Sequence, residues 1–118
     1  MDQVERRRTP RVEANVPLRL TFQDATVETR IRDLSSSGIR FRGPSAHPLL
    51  SRVQIALQIP EADSTFAPTP IAISGVVVRC DETRPGGPAP FDTAIYFDDL
   101  SDRARAQLVQ FVASQLPE

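Results

Sequence analysis

The chain has no lysine, a single cysteine and a single histidine in 118 residues, and these shortages close off whole classes of function. Cys80 cannot form an internal disulfide, and with His47 the sole imidazole there is no cluster of soft ligands for a zinc or iron site. Both are expected to be ordinary residues, Cys80 a small apolar side chain at the end of a strand and His47 a loop residue beside Pro48. Such cysteine usage suits a reducing cytoplasm. No run approaches the roughly 20 apolar residues of a membrane-crossing helix, and the start MDQVERRRTP lacks the apolar stretch of a secretory signal, so a cytoplasmic chain without membrane insertion is expected. No nucleophile has a histidine nearby and no glycine loop could cradle phosphate, which argues against an enzyme; Asp98–Asp99 reads as a solvated turn rather than an acid pair. Aromatic residues make up only 6% of the chain, so no stacking platform for nucleic acid is apparent.

What is present is unevenly placed. The net charge is −1, but residues 1–11 hold Arg6, Arg7, Arg8 and Arg11 against Asp2 and Glu5, making the start net positive by two and leaving −3 on the rest. All 14 basic residues are arginine, as a GC-rich coding bias would produce; arginine also supplies the planar, forked donors that bidentate phosphate contacts prefer.

The body of the chain alternates with period two. Val16, Leu18, Leu20 and Phe22 oppose Pro17, Arg19 and Thr21, and Val27, Thr29 and Ile31 oppose Glu28, Arg30 and Arg32, with Gln23–Asp24 as a tight connection. Ile39 and Phe41 mark a third strand, and Val53, Ile55, Leu57 and Ile59 a fourth that Pro60 ends. The segment Pro70 to Asp81 is apolar on both faces and is expected to lie centrally or be covered, with Gly75 marking a bulge or bend. Phe91 to Phe97 forms a sixth strand, and the stretches at 61–70 and 82–90 read as surface loops. The period then changes: Ala104, Leu108, Phe111 and Val112 make a helical stripe, with Ser101 as its cap and Asp102 at the positive end of its dipole. The predicted fold is mainly β, a six-stranded antiparallel β-barrel with a C-terminal α-helix and a flexible N-terminal arm. It forms a single domain over 1–118, with the arm at 1–13, the barrel at 14–98 and the helix at 101–116.

Two places carry possible chemistry. In DLSSSGIRF, Asp33, Ser35 and Gly38 are spaced Asp-x-Ser-x-x-Gly: a carboxylate that can accept the two donors of a guanine edge, a hydroxyl, and a glycine able to take positive φ or admit a ligand close to the backbone. The same residues serve an ordinary turn. In ERRRTPR, Arg7 and Arg11 are spaced Arg-x-x-x-Arg beside Arg6 and Arg8, and Pro10 keeps this arm extended. Guanidinium groups there could fork onto phosphates or onto guanine; a solvated basic tail is the alternative.

Taken together, in this order and spacing, the two motifs and the tail FDTAIYFDDLSDRARAQLVQFV resemble the PilZ domain family, bacterial receptors for cyclic di-GMP, over essentially the whole chain. The resemblance implies that Arg7 and Arg11 grip phosphate and guanine, that Asp33 and Ser35 hold guanine on the barrel, and that Gly38 keeps the turn open. Arg8 sits at a variable position of the motif. Arg6 matches the extra arginine of members that bind two intercalated ligand molecules, so one molecule or an intercalated pair is expected. Ala94 departs from the glycine many members carry. The expected ligand is cyclic di-GMP, with no cofactor, no metal and no nucleic acid; the output is expected to pass to an unidentified protein or through ligand-dependent self-association. The arm is expected to be disordered when free and to fold over the ligand. The alternative within the fold is a protein-interaction adaptor that does not bind nucleotide.

Overall fold

The computed structural model describes residues 11–59, 70–84, 86 and 90–116. Arg6, Arg7 and Arg8, with the rest of the arm to Pro10, and most of the loops read at 61–70 and 82–90 lie outside these residues.

Among the described residues seven strands precede one helix: β1 (Arg11–Glu13), β2 (Pro17–Phe22), β3 (Ala25–Ser35), β4 (Gly38–Gly43), β5 (Arg52–Leu57), β6 (Ile71–Glu82), β7 (Phe91–Asp99) and α1 (Asp102–Gln115). All pairings are antiparallel and run β3-β2-β5-β6-β7-β4, and β4 pairs back onto β3, so six strands close a barrel with no free edge between them. β1 follows the same edge of β3 that β2 occupies, through Arg11↔Ser35 and Glu13↔Asp33. The end of the predicted arm is therefore already strand. Three residues are too few to show an alternation, and it is the burial of Val12 beside Leu34 that fixes them.

The period-two residues face inward as expected. Leu18, Leu20, Ile31, Ile39, Phe41, Val53, Ile55, Leu57 and Ile95 are all at most 3% exposed and fill the barrel. Gln23, at φ 56, makes the β2–β3 turn. β6 differs from the expectation that it is covered on both faces: Ile71, Ile73 and Val77 are buried, whereas Val78 is 50% exposed on the outside. Gly75 does sit at a register shift between β6 and β7, and a Cβ there would lie 2.5 Å from Ile95 Cγ2 and 3.0 Å from the Tyr96 carbonyl oxygen.

Ser101 caps α1 by accepting the Ala104 amide at 3.0 Å, with Asp102 in the first turn. Ala104, Leu108 and Val112 are the buried stripe of the helix. It packs against β1, β3 and β6, and because β3 and β6 lie on opposite sides of the ring, α1 lies across one mouth of the barrel. Among the described residues no helix is long and apolar enough to cross a membrane.

Candidate functional site

The site is built by a break in the strand period. In β3, Ile31 pairs with Phe41 but Asp33 pairs with Arg40, so three residues of β3 oppose two of β4 and Arg32 is the extra one. Without this β-bulge, Asp33 would share the inward face of Ile31. With it, Arg32 and Asp33 both face outward and Leu34, fully buried, resumes the core.

Turned outward, the Asp33 carboxylate meets arginines on two sides. Arg11 Nη1 donates to Asp33 Oδ1 at 2.6 Å, and Arg40 Nη1 stands 3.9 Å from Asp33 Oδ2. Arg40 also reaches Asp92 Oδ2 with its Nη2 at 3.4 Å, while Asp92 Oδ1 is buried without a hydrogen-bond partner among the described residues. Asp33 keeps 17% of its side chain exposed, Arg11 32% and Arg40 40%. A groove of about 650 Å³ opens beside these groups, lined by Glu13, Ala14, Asn15, Ile31, Arg32, Asp33 and Arg40. A smaller depression of about 400 Å³ over β2, β3 and β5 carries only the exposed Arg19–Glu28 pair and Arg30 as charges. Guanidinium donors on both sides of a carboxylate, with open volume in front, can recognise a ligand that offers both acceptors and donors.

The other two motif residues act on the backbone. Ser35 is fully buried, and its Oγ accepts the amides of Ser37 at 3.1 Å and Gly38 at 3.2 Å, which folds the two-residue turn into β4. Of the two reasons the sequence offers for Gly38, positive φ does not apply, since Gly38 is not among the residues with positive φ. It is a strand residue paired with Tyr96, and a Cβ on it would collide with the Ile95 carbonyl oxygen. Glycine is required there for the close approach of β4 to β7. Arg11 is the one arginine of the N-terminal motif within the described residues, and it joins Asp33 directly.

Sequence reasoning missed Arg40 and Asp92. Arg40 read only as the outward residue of a short strand, and its partner Asp92 lies 52 residues further on. Their pairing depends on the closure of β4 onto β7, which no local pattern reveals. His47 is 8% exposed, with its ring edge-on to Phe22 at 5.5 Å and its amide donating to Cys80 Sγ at 3.5 Å. Burial lowers its pKa, which favours the neutral imidazole. Among the described residues no three His, Cys, Asp or Glu side chains are grouped to hold a metal ion.

Solved structures share this fold at low identity. MotI/DgrA of Bacillus subtilis, an inhibitor of motility, matches with a TM-score of 0.76 at 15% identity over 92% of this chain, which spans half the length of that protein. The PilZ domain of YcgR from Escherichia coli, solved with c-di-GMP, matches with a TM-score of 0.68 at 18% identity, over 93% of this chain and 91% of that one. A tetrameric PilZ protein of Xanthomonas campestris, self-assembled through a helical bundle, matches with a TM-score of 0.54 at 18% identity, over 78% of this chain and 50% of that one. Comparison with curated protein sequences gives no match. The PilZ domain family matches residues 5–114, which include the arginine-rich start, the bulged strand and the closing helix, and the chain belongs to that family.

Proposed function

We propose that this domain is a receptor for cyclic di-GMP and relays its presence to a partner protein. The observation that carries the reading is the outward carboxylate of Asp33 between Arg11 and Arg40, at the rim of an open groove. Guanine presents a ring N–H and an exocyclic amine to such a carboxylate, and its O6 and N7 accept from arginine. Asp33 Oδ1 is occupied by Arg11 at 2.6 Å, but a carboxylate offers about four acceptor sites, so guanine can share Oδ1 while taking Oδ2. Arg11 is then already placed beside the ligand, and Arg6, Arg7 and Arg8, which precede it in the chain, supply guanidinium groups for the two phosphates. Membership of the family and the likeness to the YcgR domain solved with c-di-GMP support the same ligand.

Ser35 contributes through the turn that carries Asp33 and Gly38 rather than through its engaged hydroxyl. The arm folds over the ligand as it binds, so that arm and barrel become one surface for the output protein. Self-association is a second route for output, in keeping with the tetrameric relative from Xanthomonas campestris.

Calorimetric titration of the chain with cyclic di-GMP tests the reading. Saturable heat in the wild type that disappears in Arg7→Ala and Asp33→Ala supports it, and the fitted stoichiometry separates one molecule from an intercalated pair. A wild type that stays silent both in calorimetry and in equilibrium dialysis overturns it in favour of an adaptor that does not bind nucleotide.

A further inference from the structure

On the outer face of the barrel, four side-chain positions of β4 and β7 form a rectangle. Gly38 pairs with Tyr96 and Arg40 pairs with Ala94, so the two small residues occupy one diagonal and the two large, planar ones the other. Gly38 contributes no side chain and Ala94 a single methyl, which leaves a shallow floor between the Arg40 guanidinium and the Tyr96 ring. Cross-strand diagonal neighbours in such a pair lie roughly 7–8 Å apart, within reach of long and aromatic side chains. Asp33 is the next residue in the same row, paired with Arg40 across β3–β4. From Asp33 to the β7 positions is two strand spacings, about 10 Å.

Tyr96 is 54% exposed, and it is the only aromatic residue among the large apolar side chains left exposed in the described structure. Its side chain makes no hydrogen bond, ion pair or ring contact among the described residues. Beyond it on β6 lie Val76, its paired neighbour, and Val78, 50% exposed in the bulged stretch. The charged cluster of Arg11, Asp33, Arg40 and Asp92 thus borders an aromatic face with an apolar margin. Hydrogen-bonding groups that read an edge, beside an uncovered ring that can take a face, are the two surfaces a purine needs.

We propose that Tyr96 is the base-stacking residue of this site, its ring receiving a purine face of the bound dinucleotide over the floor left by Gly38 and Ala94. The inference rests on the receptor reading above and adds to it a residue outside both sequence motifs. Its selectivity follows from the chemistry: stacking favours any purine, while Asp33 and the arginines choose guanine.

The protein carries its own probe, because Tyr96 is its only tyrosine and it has no tryptophan. Titration of the full chain with cyclic di-GMP, following tyrosine emission and calorimetric heat in parallel, gives the test. Asp33→Ala, whose affinity is expected to fall by about 100-fold or more, serves as the control for light absorbed by the ligand. The expected result is emission quenched in step with the heat, affinity within about threefold in Tyr96→Phe, and a loss of roughly tenfold or more in Tyr96→Ala. Circular dichroism of the alanine variant should match the wild type, since half of this side chain is solvent-exposed. Undiminished affinity in Tyr96→Ala, with wild-type emission unchanged at saturation, overturns the stacking role and leaves the receptor reading intact. Absence of binding in the wild type removes both.

Discussion

The cluster around Asp33 and the corner around His47 both set polar atoms against the sheet, and each holds one buried atom without a hydrogen-bond partner among the described residues, Asp92 Oδ1 in the first and His47 Nδ1 in the second. Their company differs. His47 lies against the edge of Phe22 with Cys80 at its amide, and Cys80 Sγ is 3.6 Å from Thr93 Oγ1, so the corner is neutral and filled. Around Asp33 every group is charged, opposite signs face one another, each side chain keeps some exposure, and open volume lies alongside. Burial of polarity therefore does not distinguish a site from packing. What distinguishes it is charge whose partners can be exchanged for those of a ligand without leaving any group unpaired in the interior.

The sharpest way to break this contrast is Asp33→Ala. Two charge-assisted hydrogen bonds to guanine are lost, so affinity for cyclic di-GMP should fall by about 100-fold or more in calorimetry. The thermal midpoint should fall by no more than about 5 °C, because a partly exposed ion pair stabilises a fold by about 1 kcal/mol or less. His47→Leu should do the reverse, leaving affinity within about twofold. Next in size is Gly38→Ala, which drives a methyl into the Ile95 carbonyl and pushes β4 from β7; denaturant unfolding should show a loss of about 2 kcal/mol, with weaker binding as a consequence of the displaced strand. Ser35→Ala strips the acceptor from two amides of the buried turn and should cost about 1–2 kcal/mol in the same measurement.

The smallest effect belongs to the neutral corner. Burial lowers the His47 pKa from 6.5, so as pH falls through that value the unfolded chain takes up a proton that the folded chain refuses. Stability contributed by the neutral imidazole is present above pH 6.5 and declines below it, until the folded imidazole is also protonated. His47→Leu should flatten this part of the stability profile while leaving the profile of ligand affinity unchanged.

Most of the barrel is legible in the sequence because it rests on local alternation. Leu18 and Leu20, or Val53, Ile55 and Leu57, declare their faces within a few residues. The helix stripe at Ala104, Leu108 and Val112 is equally plain. The site is half legible. Asp33 and Arg11 stand in recognisable spacings, but the contacts that complete the cluster are made across the closed sheet, and Arg40 and Asp92 carry no local sign of meeting. Positive φ, one of the two reasons the sequence offers for Gly38, does not apply, and glycine in a turn and glycine demanded by a neighbouring carbonyl look alike in a string of letters. The 6% aromatic content, which argues against a stacking platform for nucleic acid, says nothing of where one exposed ring stands.

The bulge at Arg32 can be regarded as a change of reading frame along the strand. A strand has two registers, inside and outside, and every residue after an insertion is read in the other one. Flattening the bulge while keeping Arg32 would restore strict alternation, sending Asp33 toward the apolar interior and Leu34 toward water. One local irregularity thus separates a strand that can display a recognition carboxylate from one that must bury it, so a descendant of this fold could lose its ligand through a change of pairing at a residue that need never touch it.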